Sequence, residues 1–290
     1  MSSGRRQERD ARLVLLRGGN AVVDAEGTGR GGRGTPGRIW LVGAGPGDPE
    51  LMTVKAVRIL STADVVVFDR LVGDGILDLI GSQTRRLYVG KRKSAHSVPQ
   101  DEVNRLLVAL AFEGLTVVRL KGGDPFLFGR GGEEMLAARA AGIACDVVPG
   151  VSAALAASAA IGAPLTHRGL AQSVTLVTGH AAAGGEPDLD WSALARPNQT
   201  VAVYMGLSTA GRMAARLLAA GRDGATPVAV VENVSRETET RRVTTLAELA
   251  AAVASLSGPA ILIIGETAAL ADVGAAGLGT IPVLATEAAR

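Results

Sequence analysis

From Arg38 onward, short β-branched runs alternate with segments of helical period, and this alternation restricts the possible folds more than any other feature. The runs IWLVG, DVVVF, RRLYVG, TVVRLKGG and ACDVVPG are separated by helical patterns such as VKAVRILSTA and PQDEVNRLLVALAFEG. Strands separated by helices predict a mostly parallel sheet covered on both faces. A second series follows, SVTLVTGH, TVAVYMG, PVAVVEN and GPAILIIGE, with helices predicted at STAGRMAARLLAAG and TLAELAAAVASL. Between the two series lies GVSAALAASAAIGAPLTHRG, rich in small residues. The expected fold is α/β with two domains, residues 38–150 and 151–290, and a ligand in the cleft between them. Residues 1–37 read as a flexible basic leader, and Gly274 to Arg290 as a weakly patterned tail.

Composition narrows what such a chain does. With 290 residues there is room for two cores, and with 47% hydrophobic but only 3% aromatic residues those cores must be built from Ala, Val, Leu and Ile. The one cysteine, Cys145, excludes an intramolecular disulfide; together with the lack of a Cys/His cluster it leads us to expect a reducing cytoplasm and no metal. No run reaches the roughly 18 apolar residues of a membrane span, and LVLL near the N-terminus is too short for a signal-peptide core. Residues 1–38 carry eight arginines against four acids, which leaves the remainder with 22 basic and 24 acidic residues. The basic character belongs to the leader, whose GTGRGGRGTPG stretch is too poor in apolar residues to order itself. The acidic body argues against a nucleic-acid partner.

The turn after the first run, in IWLVGAGPGDPELMT, looks at first like a dinucleotide-binding unit. The fingerprint G-x-G-x-x-G fails in both registers, because Asp48 or Glu50 stands where the third glycine belongs. Pro46 and Pro49 lack N–H groups, and the Asp48 carboxylate would repel a pyrophosphate. A tight strand-to-helix turn for a ligand without phosphates fits better. A second glycine-rich turn, LKGGDPFLFGRGGEE, repeats Gly-Asp-Pro at residues 123–125 and leads through Gly131 and Gly132 toward a helix. Taken singly, each copy is ordinary turn chemistry. As a pair at strand ends, they put amides and a carboxylate at the sheet edge where open α/β sheets bind ligands.

The ordered blocks GAGPGDPELMT, VVVFDRLV, VGKR, RLKGGDPFLFGRGGEE, VPGVSAALAASAAIGAPLTHRG, YMG and VAVVEN resemble the tetrapyrrole methylase family, over about residues 38 to 268. Within it the chain is most similar to the branch that methylates uroporphyrinogen III. The resemblance implies two αβα domains with the active site in the cleft between them, and a homodimer. It also implies methyl transfer from S-adenosyl-L-methionine to ring carbons C2 and C7 of uroporphyrinogen III, giving precorrin-2 for cobalamin or sirohaem biosynthesis. For the cofactor it points to Pro46, Gly122, Gly123, Asp124, Leu127, Ser152, Ala153, Met205 and Val234. Val234 stands where many relatives have glycine, and narrows the space there. Asp124 has ribose hydroxyls or the ammonium as candidate donors.

For the substrate, Arg130 and Arg168 match arginines that pair with the acetate and propionate arms. Asp69 is the implied proton acceptor and Lys91 the implied donor, although Arg92 and Lys93 make a solvated basic turn an almost equal reading of Lys91. Glu133 is implied in substrate contact or as a base, and is equally explained by a helix dipole. His167 adjoins Arg168, while His96 and His180 read as loop residues without metal-ligand spacing. A later precorrin methyltransferase of the same fold is the alternative. A nicotinamide dehydrogenase is disfavoured by the missing glycine, and a binding module without activity by the presence of Asp69, Arg130, Arg168 and Met205.

Overall fold

The computed structural model describes residues 35–90, 98–181 and 186–272, and these form two compact units divided between Ser152 and Ala153. Most of the expected leader and all of the expected weak tail lie outside the described residues.

The first unit runs β1 (Arg38–Gly43), α1 (Val54–Ser61), β2 (Val65–Phe68), α2 (Asp74–Leu77), β3 (Arg85–Tyr88), α3 (Gln100–Phe112), β4 (Thr116–Lys121), α4 (Gly131–Ala140) and β5 (Ala144–Val148). Its five strands are all parallel, in the order β3-β2-β4-β1-β5. β2 is buried at every residue, because helices cover both faces of the sheet. On one face Val42, Val66, Phe68, Val118 and Leu120 pack with Ala56, Ile59 and Leu60 of α1 and Ile76 of α2. On the other, Ile39, Leu41, Val65, Val67 and Val117 meet Val103, Leu107 and Leu110 of α3 and Ala138 of α4. The neighbours β1 and β4 therefore send their following helices to opposite faces. Their carboxyl ends form the switch point at which open parallel sheets leave a crevice.

The second unit runs α5 (Ala153–Ala160), β6 (Ser173–Thr178), α6 (Trp191–Leu194), β7 (Gln199–Tyr204), α7 (Ala210–Ala219), β8 (Pro227–Glu232), β9 (Thr240–Thr245), α8 (Leu249–Ala252) and β10 (Ala260–Ile264). α7 presents Ala210, Met213, Ala214 and Leu217 on one stripe, against Val203, Val230 and Leu262 of the sheet. The strand order is β6-β7-β10-β8-β9, and β10 lies antiparallel to both of its neighbours.

This sheet is mixed, unlike the parallel order that strand–helix alternation suggests. β9, TRRVTT, has a single apolar residue, so hydrophobic period gives no sign of it; it pairs antiparallel with β8 at the sheet edge. The helix predicted over TLAELAAAVASL is regular only at Leu249–Ala252.

Candidate functional site

At the switch point of the first unit the two glycine turns bond to each other. Gly45 N–H donates to Gly123 O at 3.2 Å, and Gly123 N–H donates to Gly45 O at 2.6 Å. Both residues have left-handed φ, +71° and +69°, which glycine adopts without a steric penalty. The packing behind them is too tight for side chains: a Cβ on Gly43 would sit 2.5 Å from Gly150 N, and one on Gly150 2.3 Å from Gly123 O. In front of Gly123 the space is open: among the described residues, its two chain neighbours aside, no atom lies within 4 Å of where a Cβ would stand.

The two Gly-Asp-Pro copies make the same local turn. Asp48 Oδ1 accepts from Glu50 N at 2.9 Å, and Asp124 Oδ1 from Phe126 N at 2.8 Å. Asp124 does more, because its Oδ2 also accepts from Gly150 N at 3.1 Å and so ties the end of β5 to the turn. Pro46 is buried beneath the turn, and Gly122 and Leu127 flank Asp124, half-buried. After Asp48 comes a 3-10 turn, Pro49–Leu51, and only then α1, whose Ala56 N–H is already capped by Thr53 Oγ1. The helix N-terminus is thus set back from the glycines, unlike the start of a phosphate cradle.

Asp69 follows the end of β2 and is held at both oxygens: Oδ1 accepts from Leu71 N at 3.0 Å and Oδ2 from Arg119 Nη2 at 2.7 Å. Arg119 belongs to a buried charge network that the sequence reading missed. Its Nε donates to Glu134 Oε1 at 3.0 Å, an oxygen shared with Lys121 Nζ at 3.0 Å and Gln100 Nε2 at 3.2 Å. Glu134 Oε2 has no hydrogen-bond partner among the described residues. Burial would lower the Arg119 pKa, but Glu134 and Asp69 more than offset it and raise it above its ordinary value. Burial, and then the charge of Arg119, hold Lys121 below the usual lysine value against the pull of Glu134. The available signal was two basic residues, at alternate positions of an otherwise apolar central strand, TVVRLK.

The loop from β4 to α4 has left-handed φ at Phe128 (+53°) and at Arg130 (+60°). Arg130 and Glu133 are exposed and form a two-pronged pair, with Nε and Nη2 each 2.8 Å from a carboxylate oxygen. That pair raises the Arg130 pKa and lowers that of Glu133. Lys91, like Arg92, Lys93 and His96, lies outside the described residues.

In the second unit, β6, β7 and β8 end at the same edge of the sheet. Tyr204 Oη accepts from Ala154 N at 3.1 Å, which joins the end of β7 to the turn containing Ala153. Ser152, the other member of that pair, is the last residue of the first unit. Met205 is half-exposed with φ +54°. Val234 is buried, between Asn233 (φ +53°) and Ser235 (φ +59°). Non-glycine residues in this region cost of order 1–3 kcal/mol each, and such strain collects at functional sites. Glu232, just before them, accepts from the N–H groups of Ser257 and Gly258; burial opposes ionisation, but these bonds outweigh it and lower its pKa. Arg168 stands exposed at the tip of a tight loop closed by paired hydrogen bonds between His167 and Ala171. His180, read from sequence as an ordinary loop residue, places Nδ1 2.9 Å from Met205 O.

Cys145 is half-buried on β5, and burial pushes its thiol up to about 11, so it is a poor nucleophile. Among the described residues no group of three or more His, Cys, Asp and Glu side chains could hold a metal ion, and no helix is long and apolar enough to cross a membrane.

The chain was compared with known proteins. A family model described as Tetrapyrrole (Corrin/Porphyrin) Methylases matches residues 38–250. A siroheme synthase of Chromobacterium violaceum is 48% identical over 264 residues, covering 89% of this chain and 56% of that protein. The chain spans about half the length of the siroheme synthases it matches. A uroporphyrinogen-III C-methyltransferase of Paracoccus denitrificans is 49% identical over 250 residues, covering 86% of this chain and 87% of that one. Among solved structures, a Thermus thermophilus uroporphyrin-III C-methyl transferase complexed with S-adenyl homocysteine superposes with TM-score 0.71 at 44% identity, covering 81% of this chain and 100% of that chain.

Proposed function

The chain belongs to the tetrapyrrole methylase family, and from that membership we propose that it transfers methyl groups from S-adenosylmethionine to C2 and C7 of uroporphyrinogen III, giving precorrin-2. The observation that carries this reading is the overlap, over 86% of this chain and 87% of the other, with the uroporphyrinogen-III C-methyltransferase of Paracoccus denitrificans.

The local structure suits a cofactor with a sulfonium, an amino-acid end and no phosphate. The open face at Gly123 lets a ligand approach backbone closely, and the set-back, capped α1 offers no phosphate cradle. Pro46, Gly122, Gly123, Asp124 and Leu127 hold the cofactor from the first unit. Asp124 is already committed to Phe126 N and Gly150 N, and offers only its remaining lone pairs. The family resemblance gives Ser152, Ala153, Met205 and Val234 as further cofactor residues. Bound there, the cofactor supplies an electrophilic methyl group on sulfur.

The protein's own work is alignment and proton handling. Once a ring carbon has taken the methyl and S-adenosylhomocysteine has left, the ring must lose a proton from another position or rearrange. Asp69 is the acceptor, held at a fixed angle by Leu71 N and Arg119, and Lys91 is the donor. Arg168, exposed and with no side-chain hydrogen bond among the described residues, pairs with a substrate carboxylate. Arg130 does the same by exchanging Glu133 for a substrate arm of like geometry, while Glu133 keeps the guanidinium oriented in its absence. We further take the protein to act as a homodimer in the cytoplasm.

Incubating the purified chain with both compounds under reducing conditions tests the reading. Mass spectrometry should find a product carrying two added methyl groups, together with S-adenosylhomocysteine; recovery of unmethylated uroporphyrinogen would refute it. A single added methyl, or methylation only of a later precorrin, would move the chain to another branch of the family. Sedimentation should give twice the chain mass.

A further inference from the structure

We propose that His180 is a positioning residue that sets Met205 for cofactor binding, an inference resting on the cofactor role given to Met205 above. Met205 is not glycine, yet it is left-handed at φ +54°. Such a conformation persists only where its surroundings enforce it. Here the enforcing segment is Thr178–Gly179–His180, which leads out of the end of β6 just as Tyr204–Met205–Gly206 leads out of the adjacent, parallel β7.

The two segments are matched atom by atom. Gly179 N–H donates to Tyr204 O at 2.7 Å, on one side of Met205. On the other side Gly206 packs so closely that a Cβ on Gly179 would lie 2.5 Å from Gly206 Cα. The His180 ring spans the middle, with Nδ1 2.9 Å from Met205 O. A carbonyl oxygen only accepts, so Nδ1 carries the proton and donates it. The ring has little freedom to leave, because Thr178 Oγ1 accepts from His180 N and donates to His180 O, each at 3.2 Å.

With its carbonyl fixed by His180 and the preceding carbonyl by Gly179, the Met205 peptide cannot rotate toward the commoner right-handed region. Met205, a half-exposed residue, thereby presents its side chain in one direction. His180 acts through Met205 and not on the reacting atoms.

The geometry gives an asymmetric test. An asparagine at 180 places an amide donor about where Nδ1 stands, whereas a glutamine reaches to about Nε2. His180→Ala, His180→Asn and His180→Gln are compared in the full chain, by calorimetric titration with S-adenosylhomocysteine and by steady-state methylation. His180→Ala and His180→Gln should raise Kd and the cofactor KM about tenfold, equivalent to about 1.4 kcal/mol, with kcat changed less than about threefold. His180→Asn should recover most of the affinity. All three should keep the wild-type melting temperature within a few degrees, since the side chain is exposed. An unchanged Kd for His180→Ala, or equal losses for Asn, Gln and Ala, overturns the inference while leaving the proposed activity intact. A wild-type chain that binds no S-adenosylhomocysteine removes both.

Discussion

Among the described residues Glu134 takes three donors on Oε1 and none on Oε2, at a position where its side chain has no contact with solvent. Its neighbour Glu133, one residue earlier, is an exposed partner of Arg130. Two identical residue types in GRGGEE thus have opposite environments, set by which side of α4 faces the sheet. Removing the Glu134 carboxylate would leave Arg119 and Lys121 buried with only Asp69 to balance them. We therefore expect Glu134→Leu to destabilise the fold by about 3–5 kcal/mol, the range for one partner taken from a buried pair. Glu133→Leu should cost no more than about 1 kcal/mol, as for an exposed pair. Urea unfolding measures both, and equal effects would contradict the assignment of burial. Helix position and dipole favour an acid equally at both, so only the family resemblance set Glu133 apart, and nothing in the sequence marked Glu134 as buried.

At the scale of elements, the site in the first unit is a junction of three strand ends. Gly43, Gly123 and Gly150 bring β1, β4 and the exit of β5 closer than side chains allow. Gly150→Ala would drive its Cβ against the Gly123 carbonyl oxygen at 2.3 Å, and backbone would have to move. Its cost should exceed about 2 kcal/mol, and binding of S-adenosylhomocysteine should be lost with it. Gly132, in the first turn of α4, has no described atom beyond its own helix backbone and chain neighbours within 4 Å of a Cβ. Gly132→Ala should be neutral or stabilise by up to about 1 kcal/mol, since alanine restricts the unfolded chain and suits a helix. Thermal and urea unfolding of the two variants checks the contrast; an equally harmful Gly132→Ala would contradict it. The Gly-Asp-Pro repeat was legible in the sequence as two like turns at strand ends. That the turns hydrogen-bond to each other was not, since it requires β1 and β4 to be neighbours while seventy-odd residues separate them along the chain.

Over the whole molecule, each unit closes its own core, and each carries one of the two tryptophans: Trp40 packs beside α1, and Trp191 against the second core. This gives separate reporters. Leu262 is fully buried in the second core, and Leu262→Ala should cost about 2–5 kcal/mol there. In a Trp40→Phe background the unfolding midpoint read by Trp191 should fall clearly, and it should fall less in a Trp191→Phe background read by Trp40. Equal shifts would mean that the two cores unfold as one.

The sequence by itself determined the strand and helix alternation, the two-unit plan, the glycine turns and the family, because hydrophobic period, turn chemistry and ordered motifs are local properties of the chain. Only the tertiary structure decided that the second sheet is mixed, that Arg119 and Lys121 are buried around Glu134 with Arg119 reaching Asp69, and that His180 braces Met205. Those facts depend on which distant segments become neighbours, and pairing between strands leaves no mark on a strand as polar as TRRVTT or on a histidine whose partner is a backbone carbonyl.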